Sequence, residues 1–397
     1  MLAVIDTHPV QYRAPVYRAL QERLGVPVTA IYGSDFSVAG YRDPEFQTAF
    51  AWDTDLLSGY TPRFLSRSRP GDAISIHRLP TAGIGPALRA VAPHAVLVVG
   101  YRPAFHRVGW REAWRQRRPL LFRGETTDAA TVRAPAARWI RSAGLRFAYA
   151  RCDACLWIGQ HSRAHFERLG VPPSRLFFSP YGVDETTFEA SDARREILRS
   201  ETRRELQLRE DEWLVLYVGK LSTRKGVDLL VPALRAWRAT ADRRVVLGAV
   251  GDGTLRAEIE RASERSPVVP TRFSGFQNQR QLSRYYHAAD LLVLPSRHSE
   301  TWGLVVNEAL LHGVPCVVSD RVGSAPDLID ADTGVVFTEG DAQGLAAALG
   351  RAAVLARRPE IRAACRAKVQ PYSVLAAARG IADAYHAVVG RQKRQAS

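Results

Sequence analysis

Short continuous apolar runs constrain the fold of this chain more than any other feature of its sequence. Thirteen such runs alternate with stretches of helical periodicity, and most of them end in Gly, Pro, Asp or Ser. Runs that are apolar throughout are typical of parallel strands buried on both faces of a sheet, and helical stretches between them indicate βαβ units. The pattern therefore predicts an α/β fold. The predicted strands are Leu2–Asp6, Val26–Gly33, Ile74–Leu79, Ala95–Gly100, Leu120–Gly124, Cys155–Gly159, Leu176–Pro180, Trp213–Gly219, Val245–Gly251, Thr271–Gly275, Leu291–Ser296, Pro315–Asp320 and Gly334–Phe337.

The number of strands indicates two domains. Thirteen strands exceed what one doubly wound sheet usually holds, so we predict two doubly wound, Rossmann-like domains. A highly charged segment, residues 190–211, separates the two sets of strands and sets the boundary: residues 1–189 and residues 190–373. An amphipathic helix is predicted at 374–390. Turn residues dominate residues 35–70, which we interpret as an insertion or an active-site loop of the first domain.

The chain is basic, and part of the charge is concentrated. Its net charge is +15, from 55 Lys and Arg against 40 Asp and Glu, and residues 102–151 hold twelve Arg but only three acidic residues. Such a stretch favours an anionic partner: a membrane surface, a phosphorylated substrate or nucleic acid. A solvated Arg-rich face is the alternative. The helix predicted at 136–150 fits an anionic membrane, but we favour a helix that covers the sheet with its apolar residues and exposes its Arg.

The cysteines and the chain start indicate a cytoplasmic protein. Cys152 and Cys155 form one Cys-x-x-Cys, but no second pair at zinc-ligand spacing accompanies it, and Cys155 opens a buried strand. Four thiols and an N-terminus that enters a strand at once predict a reducing compartment without secretion. No apolar run approaches about 18 residues. We expect a protein that is cytoplasmic, either free or peripheral at the inner face of the membrane.

The strongest functional signal follows the strand Leu291–Ser296. Glu300 falls in the strand-to-helix loop, Glu308 lies about two turns into the helix, and Gly303, Leu304 and Val305 occupy the helix N-terminus. Backbone N–H groups at a helix N-terminus bind a diphosphate without any side chain. Carboxylates beside it accept hydrogen bonds from sugar and ribose hydroxyls. The alternative is a purely structural helix with one acidic residue before it and another exposed on it.

This stretch, Glu300-Thr301-Trp302-Gly303 through Glu308, resembles the signature of glycosyltransferase family 4, a retaining family of the GT-B fold whose paired Glu lie eight positions apart. The resemblance covers nearly the whole chain, specifically in residues 213–320 and loosely in residues 1–185. It implies two domains facing across a cleft, with the last helix crossing back onto the first domain. It also implies that Glu300 faces the donor sugar, that Glu308 holds the ribose, and that the backbone of Gly303 to Val305 binds the diphosphate.

Three further segments of the second half resemble the same family. Lys220 and Lys225 follow the strand Trp213–Gly219, and cationic side chains there stabilise a departing diphosphate. The family usually has Arg at the first position, so bidentate contact is lost here while the charge is kept. Gly251 resembles the glycine turn near the nucleotide. Phe276 and Gln277 are candidates for contact with the base, although Phe276 fits core packing equally well.

The first half resembles the family less specifically. The opening His8-Pro9-Val10-Gln11-Tyr12 is similar to that of a bacterial subgroup associated with surface polysaccharides, and it makes His8 and Gln11 candidates for contact with donor or acceptor. Many family members carry a catalytic His after the strand Leu120–Gly124. This chain has Arg123 and Glu125 there instead. Glu125 would orient the acceptor hydroxyl or accept its proton, or would form a structural pair with Arg123.

Together these features predict a retaining glycosyltransferase that uses a nucleoside-diphosphate sugar, with UDP the first candidate and GDP the second. The acceptor is a glycan, a lipid-linked molecule or a small molecule. Neither a cofactor nor an essential metal is expected. Two alternatives remain: a nucleotide-sugar-binding protein without transfer activity, and a basic nucleic-acid-binding protein, for which no recognition motif is present.

Overall fold

The computed structural model describes residues 1–42, 49–72, 75–126, 128, 135–265 and 267–396. The first half forms a seven-stranded parallel sheet in the order β5-β2-β1-β6-β7-β8-β9, beside a two-stranded antiparallel ladder of β3 and β4. Its elements are β1 (Leu2–Asp6), α1 (Ala14–Leu24), β2 (Val28–Tyr32), α2 (Phe36–Ala39), β3 (Tyr41–Arg42), β4 (Ala49–Phe50), β5 (Thr61–Phe64), α3 (Ile84–Val91), β6 (Ala95–Val98), α4 (Ala104–Arg115), β7 (Leu120–Gly124), α5 (Pro135–Ala150), β8 (Ala154–Trp157), α6 (Gln160–Arg168) and β9 (Leu176–Phe178).

The second half forms a six-stranded parallel sheet in the order β12-β11-β10-β13-β14-β15. Both sheets start from a central strand, extend to one side and then return to the other. That order confirms the predicted pair of doubly wound domains. The elements are α7 (Asp192–Glu205), β10 (Trp213–Val218), α8 (Leu230–Arg238), β11 (Val245–Val250), α9 (Arg256–Glu264), β12 (Thr271–Gly275), α10 (Leu282–Ala288), β13 (Leu291–Leu294), α11 (Leu304–Leu311), β14 (Cys316–Ser319), α12 (Ala325–Leu328), β15 (Gly334–Phe337), α13 (Ala342–Leu355), α14 (Ile361–Val369) and α15 (Val374–Ala396).

Continuous burial explains why the apolar runs become strands. Every residue of β1, β2 and β10 is buried, because helices cover both faces of each sheet. Twelve of the thirteen predicted strands are present. The prediction for Ile74–Leu79 is wrong: residues 76–78 form an exposed 3-10 turn, and residue 74 lies outside the described residues. A short apolar run that no other layer covers gains too little from burial to pair as a strand.

The strand that takes its place in the first sheet is β5, inside the segment predicted to be a loop. It pairs with β2 at the edge of the sheet, from Thr29 opposite Thr61 to Tyr32 opposite Phe64. Its residues alternate between exposed and partly buried, and Pro62 lacks a backbone N–H, which an edge strand tolerates. Part of the same predicted loop, residues 43–48, lies outside the described residues.

Helix α15 belongs to the core of the first sheet. Its residues Ala377, Ile381 and Tyr385 are buried in one cluster with β1 and α1, and the hydroxyl of Tyr385 accepts a hydrogen bond of 2.8 Å from the amino group of Met1. The helix continues to Ala396, beyond the predicted end at 390. The domain boundary at residues 189 and 190 stays a prediction.

The exposed face of α5 differs from the prediction. Leu145 and Tyr149 pack into the core as expected, but Trp139, Ile140 and Phe147 are 74%, 67% and 58% exposed. The expectation that the apolar residues of this helix cover the sheet is therefore wrong for these three. The helix has two apolar stripes, and the sheet covers one of them. No helix in the described part of the chain is long and apolar enough to cross a bilayer.

Candidate functional site

A cavity of about 760 Å³ lies between the two sheets, at the carboxyl ends of their strands. In a doubly wound sheet, ligands bind where the strand order reverses. Here both reversal points contribute: the loops after β1 and β6 from the first sheet, and the loops after β10 and β13 from the second. The lining residues are Thr7, His8, Val10, Gln11, Tyr12, Arg13, Tyr41, Trp52, Ile76, His77, Val99, Gly100, Tyr101, Arg102, Pro103, His106, Glu125, Thr126, Arg141, Gly219, Lys220, Arg224, Lys225 and Thr301.

The second-domain wall carries three cations, Lys220, Arg224 and Lys225, in the loop after β10. Lys225 is paired with the partly buried carboxylate of Glu300, which also accepts a hydrogen bond of 2.9 Å from Ser296. Burial would raise the pKa of Glu300, but the charge of Lys225 and these hydrogen bonds together lower the pKa below its usual value. Glu300 is therefore an ionised acceptor directly behind the cavity wall.

The N-terminus of α11 lies close to this pair in sequence and is open. Gly303 precedes the helix with φ of 92°, a left-handed conformation that favours glycine, and no side chain caps the helix. A Cβ at this position would lie 2.9 Å from the side chain of Leu294 and 3.1 Å from that of Val322. The glycine is thus required by backbone conformation and packing. The N–H groups of Leu304 and Val305 begin the helix, at partly exposed residues.

Glu308 was predicted to hold the ribose, but its side chain is buried in the second domain. Its carboxyl is buried and accepts a hydrogen bond of 2.5 Å from the hydroxyl of Tyr286. Burial raises the pKa of Glu308 to about 7, although the Tyr286 hydrogen bond lowers it. The ring of His312 stacks on Tyr286 at 5.0 Å and contacts the backbone oxygen of Glu308 at 2.6 Å. In this arrangement Glu308 does not line the cavity.

Gly251, Phe276 and Gln277 lie beside the cavity rather than on its wall. Gly251 has φ of 130°, and a Cβ there would lie 2.0 Å from the backbone oxygen of Gly219. The turns after β10 and β11 therefore touch, and glycine is the residue that permits it. Phe276 and Gln277 are both partly exposed, and Gln277 donates a hydrogen bond of 2.7 Å to the backbone oxygen of Ser274.

The first-domain wall is organised by Arg13, a residue that the sequence analysis did not single out. Its buried guanidinium forms two hydrogen bonds with Asp6, of 2.8 and 2.9 Å, and lies 3.6 Å from Glu125. Burial raises the pKa of Asp6, and Arg13 opposes that rise. Two residues of opposite charge, seven positions apart and flanking the loop after β1, were the available signal. Arg13 thus connects the buried Asp6 to the partly exposed Glu125.

Glu125 faces the second domain and Arg123 does not. The carboxylate of Glu125 accepts a hydrogen bond from Tyr181 and another, of 3.5 Å, from the hydroxyl of Thr301, which the second domain supplies. Arg123 is buried and donates to the backbone oxygens of Ser179 and Pro180, at 3.1 and 2.7 Å. The alternative of an Arg123–Glu125 pair is therefore wrong, because Arg123 is used to hold the chain after β9.

Two histidines line the first-domain wall, His8 and His106. His8 contacts the hydroxyl of Thr7 at 2.9 Å and packs on the ring of Phe36 at 4.4 Å. His106, in the first turn of α4, was missed by the sequence analysis because nothing in its local pattern marks it. Burial, with the nearby charge of Arg13, lowers the pKa of both His8 and His106 to about 3. Both imidazoles are therefore neutral near pH 7 and offer one donor and one acceptor each.

The structure thus brings together His8, Gln11, Glu125, Lys220 and Lys225 as cavity-lining residues. Glu300 lies immediately behind them. The remaining predicted residues lie outside the lining: Arg123, Gly251, Phe276, Gln277, Gly303, Leu304, Val305 and Glu308.

Residues 199–368 match the family model described as Glycosyl transferases group 1. A curated relative, the D-inositol 3-phosphate glycosyltransferase of Nocardia farcinica, is 31% identical over 268 residues, which is 64% of this chain and 57% of the relative. The chain thus spans less than two thirds of that relative's length. The match to the family model covers the whole second sheet and the residues around Glu300.

Solved structures are similar over nearly the whole chain. The catalytic domain of starch synthase IV from Arabidopsis thaliana, bound to ADP and acarbose, has a TM-score of 0.70 at 15% identity and covers 98% of this chain and 99% of that one. Alr3699/HepE of Anabaena, in complex with UDP, has a TM-score of 0.68 at 18% identity and covers 96% and 98%. These similarities establish that the fold is GT-B.

Proposed function

We propose that this chain is a retaining glycosyltransferase that moves a sugar from a nucleoside-diphosphate sugar to an acceptor hydroxyl. The observation that carries the proposal is the cavity itself, because a cationic wall from one domain faces a carboxylate and neutral histidines from the other. The family match in the second domain and the curated relative support the same activity. UDP is the proposed base-diphosphate and GDP the next candidate.

On this proposal the second domain holds the donor. Lys220, Lys225 and the N-terminus of α11 stabilise the charge that develops on the departing diphosphate. Glu300, held ionised by Lys225, accepts hydrogen bonds from the hydroxyls of the donor sugar. Glu308 contacts the ribose only if the side chain of Tyr286 or that of Glu308 moves, because both are buried in this structure. Phe276 and Gln277 are the proposed contacts of the base.

The first domain presents the acceptor. Glu125 orients the acceptor hydroxyl and takes its proton as the new bond to the anomeric carbon forms and the bond to the diphosphate oxygen breaks. Attack occurs from the face that the diphosphate leaves, so the configuration is retained and no protein nucleophile is needed. Arg13 positions Glu125 through their 3.6 Å contact. His8 and Gln11 contact hydroxyls of either substrate, and Arg123 maintains the wall from behind.

We also propose that the exposed face of α5 binds an anionic membrane surface. Trp139, Ile140 and Phe147 are exposed, and the Arg138 and Arg146 side chains flank them. An amphipathic helix with aromatic residues beside Arg lies in the headgroup region of a bilayer. Because Arg141 of the same helix lines the cavity, a lipid-linked acceptor would reach the site from this surface. A location at the inner face of the cytoplasmic membrane stays a prediction.

The test of the donor site is thermal stabilisation by UDP, GDP, ADP, dTDP and CDP, with Lys225→Met and Lys368→Met as matched variants. Lys368 pairs with Asp330, outside the cavity lining, and controls for the loss of one Lys. A ligand at a hundred times its Kd stabilises the folded state by about 2.7 kcal/mol. We expect one diphosphate to raise the Tm of the wild type and of the Lys368 variant, and to have little effect on the Lys225 variant.

Absence of stabilisation by all five diphosphates would contradict the proposal. Stabilisation without sugar transfer or donor hydrolysis would support the alternative of a binding protein. Steeply salt-dependent affinity for DNA or RNA would instead support a nucleic-acid-binding protein.

A further inference from the structure

The N-terminus of α4 forms part of the first-domain wall of the cavity. The loop that carries Lys220 and Lys225 belongs to the second domain and forms part of the other wall. Pro103 and His106 line the cavity on either side of the helix start. No side chain caps this twelve-residue helix, and its first turn contains no acidic residue. The first N–H groups of a helix are donors without partners inside the helix, and the helix dipole makes this end positive.

Two guanidiniums add charge beside this helix start. Arg102 lies two residues before the first residue of the helix, and Arg141 reaches it from α5, donating a hydrogen bond of 2.7 Å to the hydroxyl of Tyr101. Both line the cavity. In the described part of the chain, neither forms an ion pair with a carboxylate. By contrast, Arg13 on the same wall is already neutralised by Asp6.

His106 is an independent indication that a ligand binds here. Its side chain is 5% exposed, and neither ring nitrogen has a hydrogen-bond partner among the described residues. A buried imidazole without partners costs free energy, since it loses its hydrogen bonds to water. Gly100 makes room for the ring: a Cβ at that position, where φ is 122°, would lie 3.1 Å from Nδ1 of His106. The backbone at Gly100 therefore accommodates the ring, and the ring nitrogens of His106 can form hydrogen bonds with a ligand hydroxyl.

The cations of the second domain do not explain why positive charge is also concentrated around the N-terminus of α4. Lys220, Arg224 and Lys225 come from the loop after β10 in the other domain, and on the proposed function Lys220 and Lys225 stabilise the diphosphate of the donor. A second concentration of positive charge in the opposite wall implies a second anion. A hydroxyl-bearing ligand with one acidic group fits both parts of this wall, because neutral imidazoles bond hydroxyls and guanidiniums bond oxyanions bidentately.

We propose that the acceptor carries a phosphate ester, bound by Arg102, Arg141 and the N-terminus of α4, with an adjacent hydroxyl bonded by His106. This inference rests on the proposed function and names the substrate class of the acceptor half of the same cavity. The phosphate belongs either to a soluble sugar phosphate or to the head of a lipid-linked acceptor, and the chemistry of recognition is shared.

The experiment uses the full chain saturated with the diphosphate that stabilises it, so that the donor half is occupied. Affinities are measured by calorimetry for the 1- and 6-phosphates of glucose, mannose and galactose and for the neutral hexoses. A second arm compares phosphatidylcholine vesicles that carry polyprenyl-phosphate-linked glucose with plain phosphatidylcholine vesicles, which serve as the neutral counterpart of that arm. We expect at least one phosphate ester, in one arm, to bind about tenfold or more tightly than its neutral counterpart, as charged hydrogen bonds do.

Matched variants identify the contact. The double variant Arg102→Gln, Arg141→Gln is expected to abolish that preference while the diphosphate still stabilises the protein. Arg111→Gln removes one guanidinium by the same type of substitution from the exposed side of α4, outside the cavity lining, and is expected to keep the preference. His106→Ala is expected to weaken the binding of the phosphate ester and of its neutral counterpart by similar factors.

Two outcomes separate the proposals. If no diphosphate stabilises the wild type, the proposed function itself fails. If a diphosphate binds but no phosphate ester in either arm is preferred over its neutral counterpart, or the preference survives in the double Arg variant, the anionic acceptor site is overturned and the donor site stands.

Discussion

Glu308 and Glu300 have the same side chain but differ in ionisation because their neighbours differ. Lys225 keeps Glu300 charged despite burial, whereas Glu308 is bonded only to the neutral hydroxyl of Tyr286 among the described residues. Burial without a cation stabilises the protonated form of a carboxyl. Glu300 therefore stays negatively charged beside the cavity, whereas Glu308 changes its charge near neutral pH.

That difference predicts a pH-dependent stability. The pKa of Glu308 is about 7 in the folded state, above its usual value of 4.5, so the folded protein binds more protons between these values and loses stability as pH rises through them. Glu308→Gln is not subject to this loss. We expect the stability of the variant relative to wild type to increase by about 3 kcal/mol between pH 4.5 and 8, measured by urea unfolding.

Glu264→Gln, at an exposed position on α9, is the control and should track the wild type at both pH values. A stability difference for Glu308→Gln that stays constant with pH would mean that the pKa of Glu308 is the same in the folded and unfolded states, which contradicts a raised pKa. If the carboxylate of Glu308 holds the ribose, Glu308→Gln is also expected to lose the stabilisation by nucleotide. Glu308 would then lower the stability of the free protein and raise its affinity for nucleotide.

At the scale of single elements, the exposed stripe of α5 predicts membrane binding. Trp139→Ala with Phe147→Ala removes two large exposed side chains, each worth about 1.5–3 kcal/mol when buried in an apolar environment. We expect the double variant to partition at least about tenfold less onto vesicles containing phosphatidylglycerol, measured by co-sedimentation. Val354→Ala, at a 69% exposed position on α13, is the control.

Raising the salt concentration should also weaken wild-type binding, because exposed Arg contacts with anionic lipid are screened. Equal partitioning of the double variant and the wild type would contradict a membrane role for α5 and leave its apolar face for another partner.

Helix α15 gives a second test at this scale, through two of its glycines. A Cβ at Gly380 would lie 1.7 Å from the backbone oxygen of Phe178 in β9, whereas a Cβ at Gly390 would meet nothing within 4 Å. Gly380→Ala must therefore push α15 away from the first sheet and is expected to lower stability by about 1–3 kcal/mol or more. Gly390→Ala should be neutral or stabilise by up to about 1 kcal/mol, since alanine is the better helix former.

Thermal unfolding of the two variants beside the wild type is the measurement. Equal effects at both positions would mean that α15 is not held against β9 in solution, and the crossing of the last helix onto the first domain would lose its support.

At the scale of the whole molecule, Asp327 connects the two domains. Its carboxylate accepts hydrogen bonds from the backbone N–H of Gln160, at 3.0 and 3.1 Å, and from the hydroxyl of Tyr372, at 3.0 Å. Nearby, Asn307 donates a hydrogen bond of 3.2 Å to the backbone oxygen of Tyr181. These bonds fix the first sheet, the second sheet and the segment before α15 around one buried carboxyl group.

Asp327→Ala is expected to weaken this junction by on the order of 2 kcal/mol, because hydrogen bonds to a charged group are lost and buried donors are left without an acceptor. We expect a lower first transition in scanning calorimetry and separation of the unfolding of the two domains. Asp332→Ala, which removes an exposed carboxylate that pairs with Arg358, should leave the profile unchanged. A single unshifted transition in the Asp327 variant would show that other contacts hold the domains together.

The sequence by itself determined the approximate number and positions of the strands and the division into two domains. Burial on both faces selects runs that are apolar throughout, and this property can be read from consecutive residues such as Leu2 to Asp6 or Trp213 to Val218. The loop, glycine and helix around Glu300 could be located for the same reason, since they are neighbours along the chain. The edge strand Thr61–Phe64 was missed because only one side of it is paired and its residues alternate.

Tertiary structure decided which side chains share a surface. Arg13 reaches Glu125, and Thr301 approaches that carboxylate from the other domain, although more than a hundred residues separate each from Glu125. His106 becomes a wall of the cavity only because α4 begins at the point where the first sheet reverses its order. No local pattern records these distances, since they depend on how two sheets are placed across a cleft. The exposure of Trp139 has the same origin: a helix with two apolar stripes buries one of them, and only packing selects which.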